Sequence, residues 1–177
     1  MVIVIVAALA VAIVGVAMLV MKSKRRRSAV QTTGLREGFG PEYERTVEEQ
    51  GRSAAEKDLL KRQERAGLLH VRPLSAMEVS SLTERWTATQ AEFVDDPGAA
   101  LTAADHLVGE VITARGYPAG EFEESASALS VDHPRAVQEY RAAHEVALRN
   151  QRNPVSTDDL RAAMMQYDAV FAELMKN

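Results

Sequence analysis

Twenty consecutive residues, Val2 to Met21, are drawn only from Val, Ile, Leu, Ala, Met and a single Gly. Nothing else in the chain restricts its folding so tightly. At about 1.5 Å per helical residue, such a run reaches roughly 30 Å, the thickness of a bilayer's hydrocarbon core. Twelve of the twenty are Ile, Leu or Val. Each of these favours insertion by roughly 0.3–0.6 kcal/mol, and no charged side chain opposes them. Lys22, Lys24, Arg25, Arg26 and Arg27 follow at once. A cleavable signal peptide has the opposite order, with basic residues ahead of a shorter apolar core and small residues at the cleavage point. The sequence therefore predicts an uncleaved single-pass transmembrane anchor over residues 1–21.

The five cations stand on the C-terminal side of the run, so the positive-inside rule places the N-terminus outside and the C-terminal domain in the cytoplasm. Ala8, Ala12 and Gly15 form a small-residue stripe along which two copies could pack into a homo-oligomer. An Ala-rich face turned to lipid explains the same residues. Charge divides sharply beyond the anchor. Residues 28–177 hold all 25 acidic residues and 16 of the 21 Lys and Arg, a net charge of −9. A domain of that sign is repelled by nucleic-acid phosphates, which excludes nucleic acid as the expected partner. The basic cluster at 22–27 is instead drawn to lipid headgroups, by about 1 kcal/mol per residue. The chain has no Cys, so disulfides, thiolate catalysis and thiolate metal sites are excluded.

The remainder reads as all-α. Residues 22–40 read as a basic juxtamembrane segment and linker. Pro41 suits a first helical position, and residues 41–70 read as a charged helical arm with sparse apolar positions and a candidate break at Gly51. Residues 71–177 read as a compact bundle of about four amphipathic helices, with a short further piece near 121–128. Ser75 is the expected cap of the first, which carries Val79, Leu82, Trp86 and Phe93. The second carries Leu101, Ala104, Leu107, Val108, Val111 and Ile112. Pro134 opens the third, with Ser130 or Asp132 as its expected cap and Val137, Tyr140, His144, Ala147 and Leu148 inward. The last, after Ser156 or Thr157, carries Leu160, Ala163, Met164, Tyr167, Val170, Phe171 and Leu174.

Chemical motifs are sparse. The four histidines are His70, His106, His133 and His144, and none has the Glu three residues earlier that helical-bundle metal sites use. No nucleophile elbow, phosphate-binding loop or dinucleotide fingerprint occurs. No catalytic residue, metal or cofactor is assigned on this basis. His144 reads either as a buried acid–base group or as a satisfied core histidine. Trp86 and Phe93, with Gln90 between, suit a helix core or a partner groove. These readings favour a membrane-anchored, non-enzymatic interaction or scaffold module that meets the lipid bilayer and an unidentified membrane-associated protein. The alternative is a ligand-binding or catalytic domain using a polar cluster of Trp86, Asp105, His133 and His144.

Eight segments carry a resemblance. They are FGPEYERTV (Phe39–Val47), RPLS (Arg72–Ser75), W-x3-QAEFVDDP (Trp86, Gln90–Pro97), AD-x-LV (Ala104–Val108), RGYP (Arg115–Pro118), LSVDHP (Leu129–Pro134), YR-x-AH (Tyr140–His144) and ST-x-DLR (Ser156–Arg161). Together they resemble an uncharacterised bacterial family of membrane-associated or secreted helical proteins. The resemblance implies no activity and no catalytic residue. Secretion among such relatives implies the alternative topology, with an extracytoplasmic C-terminal domain. Protease added outside intact cells decides between the two: residues 28–177 are expected to survive, and their digestion overturns the cytoplasmic orientation.

Overall fold

The computed structural model describes residues 30–176. The expected anchor and Lys22, Lys24, Arg25, Arg26 and Arg27 lie outside the described residues. Among those described, no helix is long and apolar enough to cross a membrane. Every regular element among them is helical. Helix α1 covers 30–39. It is followed by α2 (Pro41–Gln50), α3 (Arg52–Ala66), α4 (Ala76–Glu92), α5 (Pro97–Ala114), α6 (Phe122–Asp132), α7 (Ala136–Arg152) and α8 (Thr157–Leu174).

One expectation needs correction. Residues 30–39 are not linker but helix, with Leu35 and Phe39 buried. Leu35 and Phe39, four residues apart, share one side of α1, and they meet Tyr43 of α2 across the turn at Gly40. The break expected at Gly51 is present. Gly51, at φ 77°, separates α2 from α3, and the two pack against each other. That φ favours glycine because it carries no Cβ. Leu35, Phe39, Tyr43 and Leu59 then form a small core of their own, with Val131 of α6 packed against it.

The larger core lies in the bundle, which has five helices rather than about four because α6 is a full element. Helix α5 sits against α4, α7 and α8, and α7 runs against α8. Ala100, Leu101, Ala104, Leu107, Val108, Val111 and Ile112 of α5 are all buried. So are all seven positions expected inward on α8. Helix starts follow their caps. The Ser75 hydroxyl accepts from the Glu78 amide while Glu78 accepts from the Ser75 amide, and Asp96 and Ser156 cap α5 and α8. Gly116 is required twice over: its φ is 95°, and a Cβ there would lie 2.4 Å from the His70 carbonyl oxygen.

A buried carboxylate fastens the α2–α3 hairpin to the bundle. Glu42 is fully buried. Arg45 of α2 donates to it at 2.7 and 3.0 Å, Arg62 of α3 at 2.8 Å, and Arg141 and Gln138 of α7 at 3.4 Å each. Burial alone would raise the carboxyl's pKa, but the hydrogen bonds and charges of Arg45, Arg141 and Arg62 together hold it below the ordinary 4.5. Removing one partner of a buried ion network typically costs about 3–5 kcal/mol because the remaining charges are left unpaired. Glu42→Gln is therefore expected to lower the unfolding free energy of the full chain, measured by urea titration in detergent near pH 7, by that order. The ionised Glu42 contributes above its unfolded pKa, and its contribution is lost as pH falls through the lowered folded value. The gap between wild type and Glu42→Gln should accordingly close in acid; an equal gap at pH 7 and pH 3 would contradict this role.

Candidate functional site

Helices α5, α7 and α8 bring three polar side chains together inside the bundle. Asp105 lies on the side of α5 next to the buried Ala104 and Val108, His144 on α7, and Tyr167 on the buried stripe of α8. The Tyr167 hydroxyl donates to Asp105 Oδ1 at 2.6 Å. His144 Nδ1 lies 2.9 Å from the same oxygen and 3.1 Å from Oδ2. Phe122, at the start of α6, stacks on the imidazole with ring centres 3.7 Å apart and planes within 7°. Burial first, then the charge and hydrogen bond of Asp105, push the Tyr167 phenol far above its ordinary pKa of 10. Tyr140 is raised by burial and then by the charge of Asp105. Tyr167 is thus a permanent donor, and Asp105 is the acceptor for both neighbours.

That arrangement sets the chemistry of the imidazole. A carboxylate facing Nδ1 selects the Nδ1–H tautomer of neutral histidine, leaving the Nε2 lone pair outward. Among the described residues no group bonds Nε2. Nor is Nε2 one of the sealed, unpartnered side-chain atoms, which are Arg115 Nε and Arg141 Nε. In that tautomer Nε2 is an acceptor with no partner among the described residues. Asp105 and His144 line a shallow cleft of about 630 Å³ with Phe122, Tyr140 and Ser125, and the His144–Phe122 pair also borders a second cleft of about 550 Å³. Ser125 donates its hydroxyl to the Pro118 carbonyl at 2.9 Å, and so is not a nucleophile held by His144. His106 and Glu110 line the larger cleft too, but Glu110 is held by Arg85 at 2.6 and 2.7 Å. Among the described residues no group of three His, Asp or Glu is placed to hold a metal ion.

The other two residues of the expected cluster lie elsewhere. Trp86 stacks on Phe171 with ring centres 4.5 Å apart, and its indole donates to Asp168 at 2.9 Å. His133 lines a separate cavity of about 390 Å³ with Asp132, Glu139 and Glu173, and its Nδ1 is 3.5 Å from Glu173. The four-residue cluster is thus corrected to the Asp105–His144 pair, because the faces of α4 and of the α6–α7 turn that bear Trp86 and His133 meet different parts of α8. The expected cap of α7 is also absent: Ser130 donates to the Ser127 carbonyl and Asp132 accepts from Tyr117. Sequence reasoning missed Tyr167 and Phe122 as members of the site. Both had only an apolar-face signal, and Tyr167 stands 62 residues from Asp105.

The fold and this site describe an all-α domain with an oriented Asp–His pair at a surface cleft. No protein-family model, curated protein or solved structure matches the chain. Asp105→Asn should move neutral His144 away from the Nδ1–H tautomer, visible in imidazole 15N shifts. It should also cost about 1–3 kcal/mol, since the buried Tyr167 and His144 lose a charged acceptor. Unchanged 15N shifts would mean that Asp105 does not set the tautomer.

Proposed function

We propose that this chain is a membrane-anchored, non-enzymatic interaction module, held at the cytoplasmic face by residues 1–21 and presenting its helical domain to a membrane-associated partner. The observation that carries this reading is an apolar groove across α4 and α8. Phe93, Met164 and Met165 line it beside Gln90, Arg161 and Asp168, around a cavity of about 330 Å³. Met165 is 69 % exposed and the neighbouring Val94 84 %. Large apolar side chains left in water next to a cavity suit a surface that another protein covers. Methionine, flexible and polarisable, suits such surfaces.

The start of the described chain supports the tether. The described chain opens in helix α1, whose Leu35 and Phe39 are buried in the fold. An anchor ending near residue 21 would leave eight residues, 22–29, before the first described one, a short tether rather than a long leash. Confinement to the membrane surface raises the effective concentration of any membrane partner, so modest affinity suffices. A second reading is a ligand-binding or catalytic domain at the Asp105–His144 cleft, favoured by the unpartnered Nε2 acceptor.

One experiment separates them. The full chain, tagged at residue 177, is recovered from membranes beside an anchor-deleted form, Met165→Ser and His144→Gln. Partners lost on anchor deletion and in Met165→Ser, yet kept in His144→Gln, support the interaction module. Partners indifferent to the anchor and to Met165 overturn it, and loss confined to His144→Gln moves the function to the cleft.

A further inference from the structure

The groove carries more information than its apolar lining. Helices α4 and α8 both pack on α5, and side chains bridge the space between them. The bridge centres on Asp168. Trp86 Nε1 and Gln90 Nε2 both donate to the same oxygen, Oδ1, at 2.9 Å. Among the described residues nothing bonds Oδ2. The carboxylate is thus held in a fixed orientation by two donors while half its acceptor capacity faces outward. Its two partners are neutral donors and no cation is bonded to it, so it stands unpaired at the edge of an apolar surface.

The margins repeat that sign. Glu92 and Asp95 flank Phe93 and Val94 in the chain, and Asp168 lines the groove beside Met164 and Met165. The one cation lining the cavity, Arg161, is taken by Asp158 at 2.8 Å. Across residues 71–177 there are nine Lys and Arg against 17 acidic residues. An apolar floor with acidic margins is complementary to a helix with one apolar face flanked by Lys or Arg. It disfavours acidic or phosphorylated segments and anionic headgroups, which meet like charge.

We propose that the α4–α8 groove docks a basic amphipathic helix, of the kind a membrane protein presents where its chain leaves the bilayer on the cytoplasmic side. This rests on the interaction-module reading and its cytoplasmic topology. Loops of neighbouring membrane proteins on that face are rich in Lys and Arg close to their spans. The partner's apolar side chains cover Phe93, Met164 and Met165, and one of its cations takes the free oxygen of Asp168.

Trp86 is the chain's single tryptophan and bonds directly to Asp168, so it reports on the groove. The probes are three synthetic 16-residue peptides, added to the full chain in nanodiscs of neutral lipid. The first carries Leu at helical spacing with Lys on its flanks, the second Glu in place of Lys, and the third the Lys composition in shuffled order. The first is expected to shift Trp86 emission saturably, with affinity falling as salt rises. The other two should bind at least about tenfold more weakly, a factor that corresponds to about 1.4 kcal/mol. Asp168→Asn and Met165→Ser should each weaken the first peptide by about tenfold; Met165 is exposed and has no part in the indole bond, so its variant keeps the fold intact. Equal binding of the three peptides, or binding unaffected by both variants, overturns the proposal. Met165-dependent membrane partners without Lys-peptide binding would keep the interaction module and discard the basic-helix partner. A homodimer dissolved by Met165→Ser would make a second copy the occupant, and the proposal would fall.

Discussion

The fold depends on where the carboxylate of Glu42 can find compensation. A fully buried anion is strongly unfavourable unless charged donors surround it in good geometry, and here they come from three helices at once. Each guanidinium also reaches a carboxylate nearer the surface: Arg45 reaches Glu49, Arg62 reaches Asp58, and Arg141 reaches Glu123. The arginines thereby run from interior to water, with their charge balanced at both ends. Swinging the α2–α3 hairpin away from α7 would cost Glu42 its Arg141 and Gln138 contacts and open the buried Glu42–Arg45–Arg62 cluster to water. Because α1 shares a core with that hairpin, the same carboxylate fixes how the chain enters the domain from its N-terminal side.

From Glu42 a continuous series of contacts reaches the Asp–His pair. Arg141, which bonds Glu42, has its guanidinium carbon 5.9 Å from the centre of the Phe122 ring. Phe122 stacks on His144, His144 meets Asp105, and Asp105 accepts from Tyr167. The orientation of the imidazole is therefore over-determined, by a ring on its face and a carboxylate at its edge. Such rigidity suits a group that presents one acceptor in one direction. It also means that His144 and the hairpin belong to one packed unit rather than to separate parts of the molecule.

Legibility in the sequence followed the kind of force involved. The stripes on α5 and α8 were readable because apolar burial repeats with the helical period, and all seven expected positions of α8 are buried. Residues 30–39 were misread because glycines weigh against a helix locally, whereas Leu35 and Phe39 gain their burial only from Tyr43 and Leu59, further along the chain. Glu42 was illegible for a different reason. It stands among Glu44, Glu48 and Glu49, and nothing local marks which of four glutamates turns inward. Asp105 and His144 were each singled out, but their partnership, like that of Trp86 with Asp168, depends on which helix faces meet. Periodicity identifies a face; it does not say what that face touches.

The two oriented aspartates use their acceptor capacity differently. Asp105 gives its acceptor capacity to Tyr167 and His144, so its charge is spent within the domain. Asp168 is oriented just as firmly, but both donors share one oxygen and the other is left outward. The wider charge distribution points the same way. Residues 30–70 are nearly balanced, seven Lys and Arg against eight acids, while the excess negative charge lies in residues 71–177. A domain joined to a basic collar through a near-neutral arm is drawn to the headgroups at its N-terminal end and repelled along the bundle. On the proposed topology, that balance of forces would keep the α4–α8 groove off the lipid and available to a cationic partner arriving along the same surface.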